Sequence, residues 1–265
     1  MKAFFVSIPH SGERVPAEAN WLQGLSEPIL MCDIDRYVDR LYEATLKKLN
    51  IPYIKTEWHR YVVDLNRLPG DVDCDSVEGS KNPSGQFPNG LLWRVTTQGQ
   101  TLIHQPISQE LYKQLIKDYF EPFHQQVRAQ YAEIFKMGAK KVYHLDAHSM
   151  PSMGTSAHRD PGQRRADIVV SDWEGRSCEP WFRDLVVEAY KRTGLGVAVN
   201  WPYLGGRVTQ TYGQPQNHQH AIQVEINRDI YMDEVSKKWV EPKAKILQEK
   251  LYQAIEFIQQ RIPES

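Results

Sequence analysis

Cysteine is scarce: Cys32, Cys74 and Cys178 are the only three in 265 residues, far apart and in no CxxC pair. An odd, scattered set excludes a disulfide framework and a thiolate zinc knuckle, and fits a reducing compartment. Charge of one sign is missing too. Thirty-two Lys and Arg stand against 33 Asp and Glu, so no global field exists to hold nucleic acid or an anionic membrane, and a charged ligand must be met by local groups. No apolar run approaches the roughly 18 residues of a membrane span. The opening MKAFFVSIPHSGE ends its short apolar run at Pro9 and His10, without a small-residue cleavage site. A soluble, cytoplasmic protein is expected, with a small-molecule partner rather than nucleic acid or membrane. Internal repeats and low-complexity tracts are also lacking.

What is present is ordinary globular composition, 41% hydrophobic, 25% charged and 11% aromatic, in a chain long enough to bury a core unaided. Short β-rich runs at Ala3 to Ile8, Pro52 to Lys55, Val142 to Leu145, Asp167 to Val170, Gly196 to Val199 and Ala221 to Ile226 read as buried strands. Helical stripes fall between them at Ile29 to Leu49, Leu111 to Phe135 and Trp181 to Tyr190, and Asp233 to Arg261 closes the chain as one or two helices with Pro242 as a break. This alternation predicts an α/β fold, a mainly parallel sheet with helices on both faces. Residues 1–265 are expected to form a single domain. Leu68 to Gln105, dense in Gly, Pro, Asn, Asp and Ser, has no periodicity and is expected to be a long lid-like or binding loop.

Ligands of parallel α/β sheets bind beyond the carboxyl ends of the strands, so polar groups just after each strand take priority. In SIPHSGE a strand runs into His10, and Gly12 allows Glu13 to return to the same side; imidazole and carboxylate are a standard zinc pair, although a polar turn would use the same residues. In VYHLDAHSMPS, His144, Asp146 and His148 share one side of a strand. With His148 near the strand end, His10, Glu13 and His148 would form an open three-ligand set and His144 would be a core histidine; the reverse assignment remains open. Asp146 could orient a ligating imidazole, ligate, or cap a helix. AIQVEINRD carries Glu225 on an apolar strand, where it either pairs with a cation such as Arg228 or serves as a base. Asn66 and Arg67 in VVDLNRLP, and Arg207 in NWPYLGGRVTQTYG, offer forks for a ligand carboxylate, against the commoner fate of intrachain pairing.

The segments IPHSGE, CDIDRYVDRLY, VDLNRLP, HLDAHSM, NWPYLGGRVTQTYG and HAIQVEINRDIYMDE, in this order over nearly the whole chain, resemble the N-formylglutamate amidohydrolase (N-formylglutamate deformylase) family. That family is similar in fold and site plan to zinc-dependent carboxypeptidases and aspartoacylases. The resemblance implies a three-layer α/β/α zinc-exopeptidase-like fold and metal-dependent hydrolysis of N-formyl-L-glutamate to formate and L-glutamate in histidine degradation. It implies one Zn2+ per chain, or another divalent ion, on His10, Glu13 and His148. Asn66 and Arg67 would bind a substrate carboxylate and Glu225 would be the catalytic carboxylate. Arg207 is assigned to a second substrate carboxylate.

Overall fold

The computed structural model describes residues 2–156 and 158–263. All six expected strand runs form strands: β1 (Phe4–Ile8), β2 (Tyr53–Lys55), β3 (Val142–Met150), β4 (Ile168–Ser171), β5 (Val197–Val199) and β6 (Gln219–Asn227). They make one sheet in the order β2-β1-β3-β6-β4-β5, parallel except for the β4/β6 pair. The architecture is α/β with a mixed, mainly parallel sheet. β3 and β6 lie at its centre, and nearly every residue of both is buried. Both strands alternate apolar residues, Tyr143, Leu145 and Ala147 in β3 and Ile222, Val224 and Ile226 in β6, with His144, Asp146 and His148 and with Gln223 and Glu225, so one face of the sheet carries a buried polar row.

The helices are α1 (Glu27–Leu30), α2 (Val38–Lys48), α3 (Gln109–Leu115), α4 (Glu121–Lys136), α5 (Pro180–Arg192), α6 (Arg207–Tyr212) and α7 (Glu241–Arg261). Alternation along β3 turns His144 toward Tyr131 of α4 and Tyr143 toward Phe182 of α5, so α4 and α5 cover opposite faces of the sheet. α7 packs on both α2 and α5 and completes the second layer.

Two expectations about helices change. The stripe from Ile29 to Leu49 is helical only at its ends, because residues 31–37 leave the helix and the Asp35 N–H donates to the His10 carbonyl at 2.9 Å. Pro242 does not break the last helix: it sits in the first turn of α7, where its missing N–H costs nothing. The residues before it form a two-stranded hairpin, Met232–Asp233 with Lys238–Trp239.

Residues 68–105 contain no helix and only isolated bridges, yet Val72, Val77, Leu91, Leu92, Trp93, Leu102 and Ile103 are buried. Side chains stand in for regular backbone pairing. Asp73 accepts from the N–H groups of Asp75, Ser76 and Gly85, and Asp33 accepts from both the N–H and the hydroxyl of Thr97. The segment is a built wall of the molecule.

Candidate active site

A cleft of about 290 Å³ opens beyond the carboxyl ends of β1, β3 and β6, lined among others by His10, Asp35, Asn66, Arg67, His148 and Glu225. His10 follows β1 directly. His148 of β3 lies opposite Glu225 of β6 in the parallel register, so pairing of the two central strands alone places these groups side by side.

Both imidazoles are buried and oriented by carboxylates. His10 Nε2 lies 2.8 Å from Asp64 Oδ1, and His148 Nε2 lies 2.7 Å from Asp146 Oδ2. With Nε2–H donated outward, each ring presents the Nδ1 lone pair inward, the arrangement of metal-bound histidines. Both Nδ1 atoms face Asp35 Oδ2, at 3.4 Å from His10 and 2.9 Å from His148. One ligand atom from each of His10, Asp35 and His148 lies within 4.8 Å of the others. Three electron pairs converging in a buried space repel one another unless a cation or a proton stands between them. The donor set therefore fits a divalent ion, two imidazoles and a carboxylate with room for further ligands.

The electrostatics agree. Burial works to raise Asp35, but His10 and His148 outweigh it and hold the carboxyl well below its ordinary value. Burial likewise works to lower His148, and Asp146 with Asp35 outweighs it in the other direction. Asp35 Oδ1 is occupied by Arg228 Nη2 and Ser149 Oγ, both at 3.2 Å, which leaves Oδ2 for the cleft. Asp64 is similarly saturated: Oδ1 accepts from the Asn66 N–H, and Oδ2 accepts from Arg60 and from the Trp93 indole.

Glu225 is short of partners. Its Oε1 accepts from Gln223 Nε2 at 2.8 Å, while buried Oε2 has no hydrogen bond. Burial pushes the carboxyl up to about 8. The expected alternative, a pair with Arg228, is not made, because that guanidinium is spent on Ser149, Asp35 and the Cys32 carbonyl.

Arg67 is fixed by the main chain, Nε donating to the Asn89 carbonyl and Nη1 to the Asn66 carbonyl. Burial pulls this guanidinium below its ordinary value, with Asp64 and Asp71 opposing, the signature of a cation in want of counter-charge. Asn66 Oδ1 accepts from the Val208 N–H at the start of α6. A Cβ on Gly206 would lie 2.0 Å from Asn66 Nδ2, so only glycine lets this turn approach.

Two residues expected at the site, Glu13 and Arg207, are placed elsewhere. Glu13 does not join His10 and His148: its carboxylate is 39% exposed and forked by Arg36, and the third group that converges with them is Asp35. The H-x-x-E spacing sends Glu13 outward because the chain after His10 pairs with 57–59, Arg14 N donating to the Glu57 carbonyl. Arg207 is 41% exposed, bonded to Gln210 and near Asp71, and lines a neighbouring groove instead. His144 is a core histidine stacked on Phe5, not near the convergence point. Asp35 lies in the CDIDRY segment, where Asp33 and Asp35 are both buried and both line the cleft, and their spacing alone gives no sign that Asp35 is the one that meets the two imidazoles.

A family profile described as N-formylglutamate amidohydrolase matches residues 2–232. A protein named N-formylglutamate deformylase from Pseudomonas aeruginosa is 31% identical over 235 residues, covering 86% of this chain and 82% of the relative. Its namesake in Pseudomonas putida is 28% identical with 86% and 81% covered. Among solved structures, N-formylglutamate amidohydrolase from Ralstonia eutropha superposes with a TM-score of 0.85 over 98% of this chain and 94% of its own, at 24% identity. A gene product of Agrobacterium tumefaciens gives 0.66 over 96% and 91%, at 18% identity. Matched along most of its length by sequence and throughout by fold, the chain belongs to the N-formylglutamate amidohydrolase family.

Proposed function

We propose that this chain is a zinc-dependent hydrolase that converts N-formyl-L-glutamate and water to formate and L-glutamate, with the metal on His10, Asp35 and His148 and Glu225 as the catalytic carboxylate. The observation that carries the reading is the convergence of three metal-ligand atoms beside a buried carboxyl oxygen without a partner, in one cleft with Arg67. The names of the Pseudomonas relatives supply the substrate. On the resemblance, the reaction serves histidine degradation in the cytoplasm; no helix among the described residues is long and apolar enough to cross a membrane.

A bound divalent ion would supply Lewis acidity toward the formyl carbonyl and toward water. Glu225 Oε2 takes a proton from the attacking water, the water oxygen bonds to the formyl carbon, and the carboxyl returns the proton to the departing nitrogen as the C–N bond breaks. A carboxyl held near neutrality by burial is suited to both transfers. The formyl group offers little surface, so the glutamate carboxylates must supply the binding. Arg67 fastens one of them, with Asn66 Nδ2 beside it. Residues 68–105 contribute Asn89, Trp93 and Thr97 to the wall that excludes solvent. Residues 1–265 act as one domain in this reading.

The test compares zinc-loaded protein on N-formyl-glutamate, N-acetyl-aspartate and a dipeptide, following released amine. Turnover of the formyl compound, at least tenfold above the others in kcat/KM and abolished by chelation, is the expected result. Preference for another acyl group reassigns the substrate, and full activity after chelation removes the metal from the reading.

A further inference from the structure

Behind the candidate metal centre runs a chain of buried polar groups that the reaction does not touch. His148 Nε2 contacts Asp146 Oδ2 at 2.7 Å; Ser7 Oγ contacts Asp146 Oδ1 at 2.5 Å; His144 Nε2 contacts Ser7 Oγ at 2.7 Å; and the Tyr131 hydroxyl contacts His144 Nδ1 at 3.2 Å. Ser7, His144 and Asp146 are 0% exposed and Tyr131 is 2% exposed. Register explains the alignment: Ser7 of β1 sits opposite Asp146 of β3, with Phe5 opposite His144 two residues back.

Proton direction along this chain follows from its members. Asp146 faces the Ser7 hydroxyl with Oδ1 and the His148 Nε2 with Oδ2, and as a carboxylate it only accepts. Ser7 must then donate to it. The serine oxygen accepts in turn from His144 Nε2–H, and His144 Nδ1 accepts from the Tyr131 hydroxyl. Burial pulls His144 down to about 4, so the ring is neutral and has one donor and one acceptor nitrogen, as the chain requires. Donation runs from the core toward the cleft as far as Asp146, which also accepts from His148 Nε2–H and so leaves the His148 Nδ1 lone pair facing Asp35.

We propose that Ser7 and His144 are positioning residues for the metal centre: they fix Asp146 through Oδ1, and its Oδ2 in turn holds the His148 ring with Nδ1 aimed into the ligand set. The inference rests on the metal-site reading above and adds to it residues that touch neither metal nor substrate.

Zinc affinity, measured by competition with a chromophoric chelator, tests it alongside the melting of the metal-free protein. Ser7→Ala and His144→Leu are expected to weaken zinc about tenfold, the lower end of what loss of an outer-shell partner costs. His144→Gln, whose amide can still donate to Ser7, should stay within about threefold of wild type, since donor geometry is largely kept. A role confined to packing would lower melting and leave the zinc affinity of the folded variants alone. Nitrogen NMR of the wild type reads polarity without any variant, and His144 protonated at Nε2 is the expected tautomer. Wild-type zinc affinity in Ser7→Ala, or a His144 proton on Nδ1, overturns the proposal. If His144→Leu does not fold, Ser7→Ala and the wild-type spectrum decide. Failure of the wild type to bind zinc overturns the metal-site reading with it, whereas wild-type affinity in Ser7→Ala removes the positioning role alone.

Discussion

Glu225→Gln should make the metal-free protein more stable while removing its activity. The carboxyl is fully buried and its value rises from the ordinary 4.5 to about 8, with burial as the largest cause. The folded protein therefore holds this proton more tightly than the unfolded chain does. Stability is complete below pH 4.5 and drains away as pH rises to 8, because the ionised form is paid for only in the fold. At about 1.4 kcal/mol per unit, the loss relative to an always neutral group is about 3 kcal/mol at pH 7 and about 1 kcal/mol at pH 5. Glutamine is neutral throughout and can keep the bond to Gln223. In chelator at pH 7 the variant is expected to melt roughly 5–10 °C above the parent. The gap should narrow sharply at pH 5. Turnover of the zinc-loaded variant should fall by about 10²–10⁴, the usual contribution of a positioned acid and base. Thermal melts at the two pH values, with formate release on the same preparations, test both halves. A gap that is absent or independent of pH refutes the burial argument, and activity above a tenth of the parent's refutes the catalytic role.

Glu13→Gln should keep stoichiometric zinc and near-parental activity, since an exposed pair with Arg36 contributes about 0–1 kcal/mol. Asp35→Asn should lose the zinc and, by leaving buried Arg228 without its counter-charge, cost about 3–5 kcal/mol of stability; metal analysis and denaturant melts on both variants decide which residue is the ligand. Asp64→Asn should weaken zinc about 10–100-fold by freeing the His10 ring, read by chelator competition. Arg67→Met should raise KM by about one to two decades with a smaller effect on kcat, the loss of a charged hydrogen bond to substrate, whereas Arg207→Ala should change KM less than about threefold because its guanidinium lies in solvent. Gly206→Ala should imitate Arg67→Met, because the added carbon displaces Asn66; an unaltered KM would detach Asn66 from the substrate.

The strands were legible because β1 and β4 are short, buried and mostly apolar runs, while β3 and β6 alternate apolar with polar residues at the period of a strand. His10, His148 and Glu225 followed from them, since a strand end is a position that sequence can locate. Glu13 misled because spacing in a turn does not fix where a side chain points, and the backbone pairing of Arg14 with Glu57 turns that stretch outward. Asp35 was hidden by the helical stripe around it, whose periodicity continues across residues that leave the helix to reach the His10 carbonyl. The wall at 68–105 was unreadable for another reason: its order comes from side chains such as Asp73 and Asp33 satisfying distant backbone groups, which leaves no period in the sequence.

That wall also decides how a substrate arrives. Trp93 hangs from it and donates to Asp64, the carboxylate that orients His10, while Thr97 is tied to Asp33. Swinging the segment aside would take a donor from Asp64 and loosen the His10 ring that it holds. The cleft continues into the groove beside Arg207 between Asn89 on one side and Gly205 and Gly206 on the other, an opening that leaves these contacts in place. A guest entering there passes between Asn89 and the two glycines without displacing the segment.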